Sequence, residues 1–304
     1  MELRHLRYFV AVAEELNFRR AAERLHIGQP PLSIQIRALE EEVGAVLLER
    51  TKRKVSLTEP GQRFLLRARE ILAAARDATD EARRAARGEL GVLRVGFTSS
   101  LPYASTLPDL LHAYRGRYPE VELQLKEMFT VDQLTAIANG SLDVGLVRYV
   151  GGELPAGVLV REIGSDPLCL FLNADHPLAG RSSVGFTELA GEGFISFPVG
   201  VGTGLPDILR GLCRRAGFEP RIVQTAREAT TQVALAGAGL GIALLPAPLS
   251  CIRLPRVRFV PVSDEGARFG LSVALPAGGG SPLVSAFVQV LDGLGGGAQA
   301  EANR

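Results

Sequence analysis

Three groups of side chains in this sequence are suited to binding chemistry. Thr98-Ser99-Ser100 and Thr130 place hydroxyls just after runs of strand-forming residues, and Arg148 ends another such run. Hydroxyls and free N–H groups at the start of a helix suit a carboxylate. The run Phe197-Pro198-Val199-Gly200-Val201-Gly202-Thr203-Gly204 leads into Leu205 and offers backbone N–H groups, with Val201 and Leu205 as apolar neighbours. Together these make a candidate site for a small anion. The same hydroxyls also serve as ordinary helix caps, and Arg148 also fits a surface salt bridge, so both readings stand. The second group is Arg50, Lys52, Arg53 and Lys54, four positive charges at a tip between two β-like runs. A basic hairpin suits phosphate contacts; a solvated loop is the alternative. In the third group, Gln29 and Ser33 can exchange hydrogen bonds with base edges, and Pro30 and Pro31 can touch a thymine methyl.

No catalytic set stands beside them. His5, His26, His112 and His176 show no metal-ligand spacing, and there is no Gly-x-Ser-x-Gly. Gly237-Ala238-Gly239-Leu240-Gly241 lies between a helix and a following strand, the wrong order for a dinucleotide loop. Cys169, Cys213 and Cys251 are far apart and read as reduced, structural thiols; a redox-responsive pair is the alternative. No catalytic residue, metal or cofactor is expected. An enzyme or a solute-binding protein is the reading set aside, the latter because the N-terminus reads as an amphipathic helix rather than a leader. No run reaches the roughly 18 apolar residues of a membrane span, so no membrane partner is expected and the location is cytoplasmic.

The elements needed to position these groups follow from spacing. Leu3, Leu6, Phe9, Val10 and Ala13 recur at helical intervals. Asn17 offers an N-cap to a short helix through Phe18–Leu25, where Ala21 and Ala22 permit a close crossing. His26-Ile27-Gly28 is a tight turn in which Gly28 is expected to take the unusual dihedrals. Pro30 and Pro31 suit the first turn of a third helix, with Leu32, Ile36 and Leu39 inward and Ser33, Ile34, Gln35 and Arg37 outward. Helix, short helix, turn, helix is the order of a helix-turn-helix, whose last helix enters the major groove of double-stranded DNA. Residues 1–88 hold 17 Lys/Arg against 13 Asp/Glu, +4; the remainder holds 17 against 20, −3. An anionic partner is expected for the head alone. A further helix starts at Thr58-Glu59-Pro60-Gly61 and carries Phe64, Ala68, Ile71, Ala75, Ala78, Ala82 and Ala85 at alternating spacings of four and three. That is a coiled-coil seam for a second copy of the chain, with packing on its own chain as the alternative.

Residues 1–64 resemble, nearly continuously, the DNA-binding domain of LysR-type transcriptional regulators. The resemblance implies Gln29, Pro30, Pro31, Ser33 and Arg37 as recognition-helix contacts, and Arg50, Lys52 and Arg53 as wing contacts to the sugar-phosphate backbone. Gln35 joins the candidate DNA contacts through its outward place. The family also implies antiparallel-like linker pairing, dimers that pair again as tetramers, and two heads on an interrupted palindrome at a promoter, where RNA polymerase is a partner.

From Gly88 the pattern alternates strand and helix, which indicates a parallel α/β sheet; the tail GLGGGAQAEANR reads as unstructured. The expected fold class is α/β with an N-terminal all-α winged helix-turn-helix. The expected domains are residues 1–60 for the winged helix-turn-helix, 61–88 for the dimerising linker helix and 89–304 for an effector domain. By resemblance the last is two-lobed and similar to periplasmic binding proteins, with lobe I at 91–161 plus 266–292 and lobe II at 162–265. Its effector would lie between the lobes, held by Ser99, Ser100, Thr130, Arg148, Val201, Gly202, Thr203 and Leu205. The resemblance extends to regulators of aromatic-compound degradation (benzoate, catechol, chlorocatechol), and so to a carboxylate-bearing aromatic or muconate-like effector.

Overall fold

The computed structural model describes residues 1–51, 54–200 and 202–301. The chain divides into two compact units, Met1–Arg84 and Ala85–Arg304.

In the first unit, α1 (Leu3–Glu15), α2 (Phe18–Arg24) and α3 (Gln29–Val43) surround a core of Leu6, Phe9, Val12, Leu32, Ile36 and Leu39. Asn17 caps α2 as expected, its side-chain oxygen accepting the Arg19 and Arg20 N–H groups at 2.9 and 3.1 Å. Ala21 and Ala22 are buried at the crossing. The turn before α3 differs from expectation: His26 takes the left-handed conformation at φ 54°, while Gly28 has ordinary extended dihedrals and is the N-cap of α3. A Cβ at Gly28 would lie 3.3 Å from the Pro31 ring, so that glycine answers a need for space rather than for dihedral freedom. β1 (Leu48–Arg50) and β2 (Val55–Leu57) form the antiparallel wing, and α4 (Glu59–Ala86) follows.

In the second unit, β3 (Gly91–Phe97), α5 (Thr106–Arg117), β4 (Val121–Glu127), α6 (Thr130–Ala138) and β5 (Val144–Val147) make a parallel three-stranded group ordered β4-β3-β5. The 16-residue β6 (Val158–Asn173) leads to β7 (Gly193–Ser196), α7 (Leu205–Arg215), β8 (Arg221–Thr225), α8 (Ala229–Gly237) and β9 (Ile242–Pro246), a second parallel group ordered β8-β7-β9. β10 (Val257–Pro261) pairs with β6, and β11 (Arg268–Pro276) runs antiparallel to both β5 and β6 before α9 (Pro282–Glu301).

Strand–helix alternation reported both parallel groups, and the late strands β10 and β11 also lie where the sequence suggested, but the Val158–Asp166 part of β6 gave no signal, and the sheet is mixed rather than parallel. β6 pairs with β11 up to Pro167 and with β9 and β10 from Leu168 onward. The lobes thus change hands near Pro167 and Arg268, not at 161/162 and 265/266. The apolar clusters divide in the same way: one gathers Leu168 to Phe269, while Leu93, Tyr114, Leu146 and Phe287 form a second and Leu134, Val147 and Ala274 belong to a third. α9 continues to Glu301 through the glycine-rich stretch expected to be unstructured; extending an existing helix costs only the glycine penalty at each step, not a new nucleus.

Candidate functional sites: a nucleic-acid face and a ligand cleft

On α3 the apolar period sets what is presented. Leu32, Ile36 and Leu39 are fully buried, which turns Gln29, Pro30, Pro31, Ile34 and Arg37 to solvent. Ser33 is half-buried. Gln35 departs from expectation: it too is half-buried, and its Oε1 is enclosed without a hydrogen-bond partner, so it does not project freely.

The wing tip closes when the Thr51 N–H donates to the Lys54 carbonyl at 2.9 Å and the Lys54 N–H donates to Thr51 Oγ1 at 3.0 Å. Lys54 is exposed; Lys52 and Arg53 lie outside the described residues. Arg50 is paired within the head. Its Nη2 donates to Glu40 Oε2 at 2.7 Å, its guanidinium lies 4.8 Å over the Phe18 ring, and its side chain is only 26% exposed. Glu40 Oε1 also accepts the Leu47 and Leu48 N–H groups at 2.9 and 3.0 Å. Arg50 with Glu40 therefore fastens the wing to α3 and α2.

The linker seam is also divided. Phe64 packs edge-on to Phe9 with ring centroids 5.2 Å apart, and Ala68 is fully buried in the head's own core, so these two positions serve their own chain. Ala75 is half-buried; Ile71, Ala78, Ala82 and Ala85 are exposed.

In the second unit a cleft of about 390 Å³, including its open mouth, lies where the two strand groups meet. Thr98, Ser99, Ser100, Phe129, Thr130 and Arg148 line one side; Phe197, Thr203, Leu205, Ala229, Leu245 and Pro246 line the other, with Phe269 from β11 between them. The sequence placed Ser99, Ser100, Thr130, Arg148, Thr203 and Leu205 here, and the structure brings all six together. Thr98–Ser100 precede a single 3₁₀ turn, Leu101–Tyr103, and α5 starts only at Thr106, so no long helix points its N-terminus from those hydroxyls. Val201 lies outside the described residues. Gly202 has φ +68° and Gly204 φ +70°; a Cβ on them would overlap the Val131 and Val150 side chains respectively. These glycines act by letting the loop of one lobe seat against the other.

Arg148 is 2% exposed and committed within the protein. Its Nη1 donates to the Phe269 carbonyl at 2.9 Å, its Nη2 donates to the Asp166 carboxylate, its plane lies 5.1 Å over the Phe269 ring, and its backbone N–H donates to Thr130 Oγ1 at 3.1 Å. Burial lowers its pKa against the opposing pull of Asp166. The surface salt bridge weighed for Arg148 is in fact a buried one. Among the described residues, Thr98 Oγ1, Thr203 Oγ1 and Arg148 Nε are enclosed without a hydrogen-bond partner. Buried polar atoms left unpaired are uncommon, and these three belong to residues that line one cleft. Sequence reasoning missed Asp166 and Phe269, which reach Arg148 from 18 and 121 residues away with no local signal.

A basic helix-turn-helix and wing on one unit and a two-lobed α/β fold with a cleft between its strand groups on the other define a DNA-binding protein that carries a second, α/β domain. The chain matches the bacterial regulatory helix-turn-helix protein family model of lysR type over residues 3–62 and the LysR substrate binding domain model over residues 86–294. It belongs to the LysR family of transcriptional regulators. It is 48% identical over 267 residues to the uncharacterized HTH-type transcriptional regulator YnfL of Escherichia coli K12, covering 88% of this chain and 89% of that protein. The crystal structure of CbnR, a LysR family transcriptional regulator, superposes with a TM-score of 0.83 at 34% identity, covering 96% of this chain and all of that one. Full-length CbnR complexed with its target DNA gives 0.82 at 32% identity, covering 97% of this chain and all of that one.

Proposed function

We propose that this protein is an effector-switched regulator that binds an interrupted palindrome at a promoter through the exposed face of α3 and the wing, and whose DNA geometry changes when a small molecule fills the cleft. The observation that carries the reading is the set of unpaired buried polar atoms on Thr98, Thr203 and Arg148, in a cleft otherwise walled by Phe197, Leu205, Leu245 and Phe269. Acceptor oxygens on an aromatic or muconate-like carboxylate match the two hydroxyls and the free N–H. Because Asp166 balances the Arg148 charge, selection of a carboxylate rests on its two equivalent acceptor oxygens, where an ester or amide offers one carbonyl oxygen.

Ile71, Ala78, Ala82 and Ala85 form the linker face that a second copy covers, giving dimers and then tetramers. RNA polymerase is the downstream partner and the cytoplasm the location. A redox-responsive reading finds less support: Cys169 and Cys213 are buried, and burial, aided by Glu219, pushes the Cys213 thiol up to about 12, whereas redox-sensing thiols ionise easily.

The test uses the full chain. Duplexes selected from a random pool should converge on an inverted repeat, and benzoate or cis,cis-muconate should raise the melting temperature of the second unit's transition and alter the footprint, while methyl benzoate and benzamide do neither. Equal shifts with the uncharged analogues would reject the carboxylate. A footprint unchanged by every compound that raises the melting temperature would reject the switch.

A further inference from the structure

Ile34 sits on the outward face of α3 and is 62% exposed. Single exposed apolar residues are ordinary on protein surfaces; this one is distinguished by its place. Residues three and four away on a helix share its face, and here those are Pro30, Pro31, Arg37 and Ala38, all exposed. The flanking polar residues Ser33 and Gln35 are half-buried, with Gln35 Oε1 enclosed. The face presented to a groove is therefore led by apolar surface, with Arg37 the one charge among these neighbours. A branched hydrocarbon side chain can neither donate to nor accept from a base edge. The apolar feature that the major groove offers is the thymine C5 methyl group.

We propose that Ile34 is a specificity-determining residue that reads a thymine by contact with its methyl group, once in each half-site. The inference rests on the reading above that α3 enters the major groove, and adds which base is chosen and by which side chain. Desolvating one methyl-sized group is worth about fourfold in affinity.

The test is a thymine-to-deoxyuridine scan of the selected duplex, which removes one methyl group at a time. It is measured at fixed salt with the full chain and with Ile34→Ala. At 62% exposure the substitution leaves the core of the head intact, checked by an unchanged melting temperature. One symmetry-related pair of thymines should lose about fourfold per half-site with the parent protein and nothing with Ile34→Ala. Scans that are the same for both proteins at every position overturn the proposal, including the case where a methyl matters equally to both because Pro30 or Pro31 reads it. A pool that never converges on a sequence removes the DNA-reading function itself and the proposal with it.

Discussion

The two lobes of the C-terminal unit are built on one plan and carry different chemistry. Each is a β-α-β-α-β run with its middle strand at the edge, β4-β3-β5 in one and β8-β7-β9 in the other. The fourth residue of each closing helix is a buried glutamine. Gln133 Nε2 donates to the Met128 carbonyl and Gln232 Nε2 to the Ala226 carbonyl, both at 2.9 Å. Each helix is followed by a left-handed glycine, Gly140 at φ +74° and Gly239 at φ +79°. The lobes part at the end of the next strand: β5 leads into buried Arg148, whereas β9 ends in Pro246. Lobe I thus brings Thr98, Ser100, Thr130 and Arg148 to the cleft, while lobe II brings Phe197, Leu205, Leu245 and Pro246 and the single hydroxyl of Thr203. A repeated scaffold sets the position of its strand ends, and the side chains at those ends make one wall of the cleft mostly polar and the other mostly apolar.

The largest expected break of this asymmetry is Arg148→Met, which leaves Asp166 without its cation. Losing one member of a buried pair costs about 3 kcal/mol, read by urea denaturation; Arg148→Met with Asp166→Leu should recover at least half of it. Pro246→Ala, the matching site in lobe II, should cost less than about 1 kcal/mol. Similar losses at the two sites would show that the lobes are not divided as described.

Next come the glycines that let the lobes touch. Gly202→Ala and Gly204→Ala combine a positive φ with overlap on Val131 or Val150 and should each cost about 2 kcal/mol. Gly200→Ala, at φ +87° with open space around its Cβ, should cost about 1 kcal/mol from the backbone alone. Equal melting shifts for all three would mean that the loop does not bear on lobe I.

Thr98→Val and Thr203→Val remove hydroxyls that lack a partner, so stability should stay level or rise by up to about 1 kcal/mol. Effector affinity should fall about tenfold, by titration calorimetry. A loss of stability would mean that these hydroxyls are already paired in the free protein. The smallest effect is chemical: Cys251 is exposed, so a thiol reagent at pH 8 should modify it while Cys169 and Cys213, neutral and buried, remain untouched. Fast labelling of Cys213 would show that the lobe II core opens readily.

Much of the head was legible because its signals are local. Asn17 caps the residues beside it, Leu32, Ile36 and Leu39 share one helix face, and Pro30 and Pro31 announce a first turn. The pairing of Arg50 was not legible because its partners, Glu40 and Phe18, lie 10 and 32 residues away. In the sensor, β8 escaped because all five of its residues are exposed at a sheet edge and show no apolar alternation. Most of β6 escaped because its stretch before Pro167, which includes Gly164, pairs with a strand more than 100 residues later.

The amino-acid sequence alone determined the winged helix-turn-helix, the long linker helix, the strand–helix alternation of the second unit and most of the cleft's polar residues, while the two lobes were implied by the family resemblance. These rest on periodicity, caps and strand ends, which act over a few positions. Only the tertiary structure decided which charges are spent. Arg148 is paired with Asp166, Arg50 is tied to Glu40, and Phe64 and Ala68 are taken into their own core, while the Thr98 and Thr203 hydroxyls are left without a partner. Pairing depends on which distant groups meet, and sequence spacing says nothing about that until the chain has folded.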